Sequence, residues 1–391
     1  MPNDEILIVA GENSGDLHAA ELVKNFTQAH PEYSFFGAGG ELMKSEGVEL
    51  LAHVNDLAVM GFSGIPRILP ALLQLKRVIL KRVRDNNVKL AILVDYPGFN
   101  LNLAKGLKSL TNPPRILEFI APQVWAWRPS RVKKIRAYID HLAVVFPFEE
   151  SLFKAANIPV TFVGHPLLDE LEFNSTTSGY NGGNLETKYH DMSGTDRTSK
   201  PILALLPGSR KSVTARHLPI IIKSVKLFND EFPDIRFCIG CAPGLKQYLV
   251  DYTSDISIKF EYWDDSRELL AKATAAVVCS GTATLEAALI GAPHVIVYKT
   301  SYINYMIIKN LIKLPYIGLV NIVAENRIVP ELIQNEFNPS SLFRALSPIL
   351  RHRSFRNHFY ERLLRVKYML GEPGASHRVS ELAYKMIESN S

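Results

Sequence analysis

Ala275 to Tyr298 reads AAVVCSGTATLEAALIGAPHVIVY, and its alternation sets the fold class. An apolar, β-branched run ends at Cys279, Ser280-Gly281-Thr282 turns the chain, and Ala, Leu and Glu carry a short helix. Gly291-Ala292-Pro293 then leads into a second β-rich run, His294 to Tyr298. Strand, tight turn, helix, strand is a βαβ unit. A helix opening at Ser280, Gly281 and Thr282 leaves unpaired backbone N–H groups at its positive end, which suits a phosphate. The hydroxyls there serve equally as plain helix caps. Glu286, about one turn further in, can accept hydrogen bonds from a sugar diol such as ribose.

The same grammar extends in both directions. Glu5 to Ala10 is a buried strand running into Gly11-Glu12-Asn13-Ser14-Gly15-Asp16, with a helix expected from Leu17. Glu12, Ser14 and Asp16 can contact a polar sugar, with Gly15 allowing close approach, or Asp16 can cap the helix. Leu90 to Val94 ends in Asp95-Tyr96-Pro97-Gly98-Phe99-Asn100. A carboxylate at the carboxyl end of a parallel strand faces the ligand crevice, so Asp95 is the candidate general base; capping the next helix is its structural alternative. Ile116 to Ile120 precedes Pro122-Gln123-Val124-Trp125-Ala126-Trp127-Arg128-Pro129-Ser130-Arg131, where Trp125, Arg128 and Arg131 either floor a site or pack on a helix. His165 follows a strand at Val160 to Val163.

Between Val59 and Arg84 lies a loop, Val59-Met60-Gly61-Phe62-Ser63-Gly64-Ile65-Pro66, and a helix from about Leu69. Phe62, Ile65, Ile68 and Leu69, followed by Lys76, Arg77, Lys81 and Arg82, give this segment an apolar wedge and a basic face. It fits an anionic membrane surface or, more plainly, a helix packed on the sheet.

Glu172 to Lys200 changes character to Ser, Thr, Gly, Asn and Asp and reads as a flexible linker. Order resumes with PILALL and Pro207-Gly208-Ser209-Arg210, a second strand-to-helix turn without P-loop spacing, where Ser209 and Arg210 can meet a pyrophosphate. Asn321, Glu331 and Gln334 can read a base or sugar edge. The expected domains are 1–171, a linker 172–200, a second domain 201–355, and C-terminal helices 356–391.

With 391 residues, 47% hydrophobic and 21% charged, the chain is an ordinary two-domain globular protein. Three cysteines make no disulfide framework, and Cys238-x-x-Cys241 lacks the second ligand pair of a zinc site. No apolar run is long enough to span a bilayer and Met1 to Ala10 is no signal peptide, so we expect a cytoplasmic protein. The net charge of +5 is modest, and no nucleic-acid partner is expected.

GENSGD at Gly11, MG at Met60, DYPGFN at Asp95, PQVWAWRPSR at Pro122, FPFE at Phe146, VGHPL at Val163, LLPGSR at Leu205, SGTATLE at Ser280, GLVNI at Gly318 and PELIQ at Pro330 follow one another in register. Together they resemble the lipid-A-disaccharide synthase family across nearly the whole chain. The resemblance implies the α/β GT-B fold, two Rossmann-like domains facing an interdomain cleft, with the C-terminal helix returning to the first. It implies transfer of 2,3-diacylglucosamine from UDP-2,3-diacylglucosamine to the 6-hydroxyl of 2,3-diacylglucosamine 1-phosphate, with inversion to a β-1,6 linkage and release of UDP.

In that chemistry Asp95 takes the acceptor proton. Ser209, Arg210 and the Ser280-Gly281-Thr282 helix start stabilise the diphosphate, and no cofactor or metal is expected. Glu286, Asn321, Glu331 and Gln334 form the nucleotide pocket. Glu12, Ser14, Gly15, Asp16, Met60, Gly61, Asn100, Trp125, Arg128, Arg131 and His165 face the acceptor. The acylated substrates favour peripheral contact with the cytoplasmic face of the inner membrane, and a returning C-terminal helix allows a homodimer by exchange. Two departures stand out: Val213 occupies a place where the family usually carries glutamate, and the linker is long. A UDP-sugar 2-epimerase shares the architecture but needs no lipid acceptor; a non-catalytic nucleotide-sugar binder would not need Asp95.

Overall fold

The computed structural model describes residues 4–57, 65–126, 129–171, 200–301, 305–306 and 314–389, with 56–57 and 65–68 as backbone only. Met60, Gly61, Phe62, Arg128, the side chains of Ile65 and Ile68, and residues 172–199 of the expected linker lie outside the described residues.

The chain divides into two compact units, residues 1–170 with 370–391, and residues 171–369. In the first unit, strands β1 (Asp4–Ala10), β2 (Tyr33–Gly39), β3 (Glu49–His53), β4 (Leu90–Val94), β5 (Arg115–Phe119), β6 (His141–Val144) and β7 (Val160–Phe162) form one parallel sheet. Its order is β3-β2-β1-β4-β5-β6-β7. The intervening helices are α1 (Asn13–Ala29), α2 (Glu41–Ser45), α3 (Val54–Leu57), α4 (Ile65–Asp85), α5 (Pro97–Leu107), α6 (Arg131–Tyr138) and α7 (Pro147–Ala155).

The second unit strings β8 (Ile202–Leu206), α8 (Lys211–Glu231), β9 (Arg236–Gly240), α9 (Lys246–Thr253), β10 (Phe260–Trp263), α10 (Ser266–Lys272), β11 (Ala275–Cys279), α11 (Thr282–Ile290), β12 (His294–Tyr298), α12 (Leu319–Val323) and β13 (Glu331–Ile333). Its sheet runs β10-β9-β8-β11-β12-β13 and is also parallel. Helices α13 (Pro339–Arg351) and α14 (Arg353–Met369) follow, and α15 (Ala375–Glu388) belongs to the first unit.

Helices on both faces explain why the central strands are apolar throughout: every residue of β4, β8 and β11 is buried. Strand order reverses between β1 and β4, and again between β8 and β11. Polar chemistry is thereby confined to the carboxyl ends of those strands.

Two expectations shift. Helix α1 starts at Asn13 and not near Leu17, so Ser14, Gly15 and Asp16 lie in its first turn. The crossover back to the first unit falls at Leu370 and not at residue 356, because α14 packs on α11 and α13 within the second unit.

Helix α4 rests on the sheet through Leu75, Ile79 and Val83, one stripe at i, i+4, i+8, and exposes Leu69, Leu73 and Val78. Arg77 and Lys81 are exposed with them. Arg82 is not part of that outer face: it forks onto Glu5 and Glu49 at 2.6 Å each and covers the Phe36 ring. Lys76 likewise turns toward α5, donating to the Asn102 carbonyl at 2.8 Å and to its Oδ1 at 2.9 Å.

Helix α15 is held to α1 by apolar and aromatic packing: Tyr384 stacks on His30 at 3.6 Å and meets Phe26 edge-on. At its start Arg378 ties three carbonyls, those of Val163, Glu372 and Pro373. Gly164, at φ 82°, leaves no room for a Cβ, which would lie 2.8 Å from Arg378 Nη2. We expect Arg378→Ala to lower the stability of the first unit by about 2 kcal/mol, since charge-assisted bonds to part-buried carbonyls are lost. A urea titration following that unit checks it; an unchanged midpoint would show that the clamp carries no stability.

Candidate active site

In the first unit β1 and β4 deliver their loops side by side. The Tyr96 ring lies where a side chain on residue 11 would go, a Cβ there coming within 2.2 Å of it, so Gly11 is required by this contact. Glu12, the N-cap of α1, is exposed beside it.

Asp95 sits at the turn from β4 with φ 35°, a left-handed conformation that costs a non-glycine residue of order 1 kcal/mol or more. Its backbone N–H donates to the Phe119 carbonyl at 3.2 Å, fixing the turn to β5. The N-cap of α5 is Tyr96 with Pro97 in the first turn, so Asp95 is not that helix's cap. Burial, with the Glu12 charge second, pushes the Asp95 carboxyl up to about 7. A carboxyl group poised at neutrality is matched to proton abstraction.

Several neighbours have structural duties that their sequence positions conceal. Asp16 is buried and accepts from Gly40 N at 2.6 Å, Leu42 N and Met43 N, so it caps α2 and neither its own helix nor a sugar. Trp125 donates its indole N–H to Glu149 at 2.8 Å and meets Phe148 edge-on, so the ring packs against α7. Burial raises Glu149 to about 7. His165 accepts from Leu167 N, and burial, then His18, lowers it to about 3, leaving a neutral imidazole. Asn100 is fully buried, with neither amide atom hydrogen-bonded. Arg131 is the first residue of α6 and half-buried.

In the second unit the ends of β8 and β11 meet the starts of α8 and α11. Ser209 and Arg210 are exposed, and Arg210 is the N-cap of α8. Gly208 has φ 127°, and a Cβ on it would lie 3.2 Å from Val213 and 3.3 Å from Cys279 Sγ. Val213 therefore supports this loop by packing, which accounts for an apolar residue there.

Gly281 and Thr282 are exposed at the start of α11, with nothing within 4 Å of a Cβ placed on Gly281. Ser280 Oγ donates to the Ile317 carbonyl at 3.1 Å. Glu286 is not unengaged: Arg267 holds its Oε1 at 2.9 Å, and a sugar diol would share that oxygen.

Asn321 and Glu331 act from beneath. Both are buried; Glu331 accepts from Ile317 N, Gly318 N and Asn321 Nδ2, while Asn321 accepts from Ile328 N and Val329 N and donates to the Val329 carbonyl. They are not available to read a base edge; they hold the backbone at 317–318 beside Ser280. Gln334, at φ 53°, accepts from Thr300 N at 3.2 Å. Sequence reading missed His217. Buried in α8, it bonds the Pro207 carbonyl at 2.8 Å and accepts from Lys299 N at 2.9 Å, joining the loops after β8 and β12. Burial lowers it to about 4. The only signal was a histidine two turns past the Pro-Gly-Ser-Arg turn.

The sequence profile of the family described as lipid-A-disaccharide synthetase matches residues 6–372. A lipid-A-disaccharide synthase of Trichlorobacter lovleyi is 39% identical over 391 residues, covering 98% of either chain. Among solved structures, a putative UDP-N-acetylglucosamine 2-epimerase of Listeria monocytogenes superposes with a TM-score of 0.65 at 11% identity, covering 99% of this chain and 97% of that one. The calicheamicin glycosyltransferase CalG4 superposes with a TM-score of 0.58 at 16% identity, covering 99% of both. These likenesses show a GT-B fold that epimerases and transferases share; the choice between them is made by the family profile and the full-length relative. The chain belongs to the lipid-A-disaccharide synthase family, and is a glycosyltransferase of lipid A biosynthesis.

Proposed function

We propose that the chain moves 2,3-diacylglucosamine from UDP-2,3-diacylglucosamine to the 6-hydroxyl of 2,3-diacylglucosamine 1-phosphate, inverting the anomeric carbon to give a β-1,6 disaccharide and UDP. The observation that carries the reading is Asp95, held in a left-handed turn at the carboxyl end of β4 with its carboxyl raised to about 7. It takes the proton of the attacking hydroxyl while the C–O bond to UDP breaks on the opposite face of the sugar through an oxocarbenium-like transition state. Glu12, whose charge acts on Asp95, and Ser14 are exposed at the start of α1 and suit sugar hydroxyls.

The departing diphosphate gathers charge as the bond breaks. Arg210, Ser209 and the N–H groups at the start of α11 are placed at the ends of β8 and β11 to meet that charge, with no metal required. Asn321, Glu331 and Gln334 support this cradle through the backbone. The outer face of α4, where Leu69, Leu73 and Val78 stand with Arg77 and Lys81, favours contact with an anionic bilayer in which the acylated substrates lie. Among the described residues no helix is long and apolar enough to cross a membrane.

In detergent and EDTA, the protein should release UDP and form disaccharide from the two acylated sugars. Asp95→Ala should lose about three orders of magnitude in kcat, the scale of general-base catalysis, while keeping UDP affinity; a variant as active as the parent would remove Asp95 as the base. The base works ionised, so kcat/KM should rise with pH through about 7. Arg210→Ala should weaken UDP binding and lower kcat about 100-fold, and equal activity would sink the cradle assignment. Reversing charge on the outer face of α4, Arg77→Glu with Lys81→Glu, should reduce sedimentation with phosphatidylglycerol vesicles at least tenfold at about 1 kcal/mol per charge; unchanged sedimentation would place the membrane contact elsewhere.

A further inference from the structure

Glu118 has no part in the mechanism above, and its surroundings are wrong for a structural carboxylate. It sits in β5, near the middle of the first sheet, with no exposure to solvent, and neither side-chain oxygen has a hydrogen-bond partner. A carboxylate buried without donors is expensive, so such a group keeps its proton.

Register shows what lies beside it. Glu118 pairs with Leu93 of β4. Asp95 follows the last residue of β4 and donates its backbone N–H to the carbonyl of Phe119, the residue after Glu118, at 3.2 Å, so the two carboxyl-bearing residues stand on adjoining chain segments. Burial and, second, the Asp95 charge raise Glu118 to about 8, with Arg131 of α6 pulling the other way.

Charged groups of the neighbouring elements act on Asp95 or have partners of their own. Glu12, from the start of α1, acts on Asp95 and on Tyr96. From β6, His141 is hydrogen-bonded to Thr161. Helix α5 contributes the neutral Asn100 near Asp95, and of its lysine neighbours at the far end Lys108 is paired with Asp140.

We propose that Glu118 and Asp95 form a carboxyl pair holding a single proton at neutral pH, with Glu118 the member that keeps it. Glu118 is then a positioning residue that confines the negative charge to Asp95. The inference rests on Asp95 being the base. Two neighbouring carboxyl groups ionise in two separated steps that belong to the pair. Below the first step both are protonated and no base exists. Between the steps the pair carries one charge and Asp95 can accept a proton. During turnover Asp95 gains the hydroxyl proton, the pair briefly holds two, and one leaves to water. Above the second step a second charge enters an apolar face, repelling the anionic acceptor.

The experiment compares wild type, Glu118→Gln and Asp95→Asn in two readouts. In infrared difference spectra with 13C-labelled glutamate, wild type at pH 7 should show a protonated buried carboxyl that is absent from Glu118→Gln. In Asp95→Asn its ionisation should move to lower pH, because the neighbouring charge is gone. Glutamine imitates the protonated acid, so Glu118→Gln should keep kcat within about threefold at pH 7 and lose the decline expected of wild type above about pH 8. The proposal is overturned if no carboxyl band disappears with Glu118, if its ionisation ignores Asp95→Asn, or if the alkaline decline persists in Glu118→Gln. Full activity of Asp95→Asn would instead defeat the base assignment, and the infrared titration would still report whether the two carboxyls are coupled.

Discussion

A parallel sheet covered by helices on both faces favours polar chemistry at the strand ends, and the central strands of both units obey that constraint, with Glu118 inside β5 the exception. Fully apolar β4, β8 and β11 leave no polar side chain along their lengths. Each strand order reverses once, between β1 and β4 and between β8 and β11, and the loops there diverge instead of crossing. Asp95 with Glu12, and Arg210 with the Ser280 turn, are what the two openings hold.

The two openings are electrically unlike. In the first, burial drives Asp95, Glu118 and Glu149 upward toward or past neutrality. In the second, an exposed guanidinium and two helix starts offer positive potential. Proton removal wants the first environment, and a leaving diphosphate wants the second. One protein thus keeps a carboxyl group near half-ionisation on one sheet and a cationic cradle on the other.

Much of this was legible in the sequence because strand runs and Gly-rich turns are local signals. The stretch from Ala275 to Tyr298 folds as β11, α11 and β12, and Asp95 stands at the strand end its sequence position suggests. What failed were side chains whose partners lie far along the chain. Asp16 looked like a ligand and caps α2; Asn321 and Glu331 looked like base readers and bind backbone at 317–318 and 328–329; Arg82 looked like a membrane cation and pairs with Glu5 and Glu49. A polar residue beside a glycine turn reads the same whether it faces a substrate or a buried N–H. Glu118, inside an apolar strand run, gave a signal of another kind: a charge where none belongs.

Helix α15 comes after the whole second unit in sequence and covers α1 of the first. During synthesis the second unit is contiguous and has all its elements by Met369, whereas the first lacks its last cover until residues 375–388 leave the ribosome. The side of α1 that α15 covers, with the His30 ring on it, therefore lacks that cover for as long as the second unit takes to be made, at about 5–20 residues per second. The earlier-made half of the protein is the later one to close.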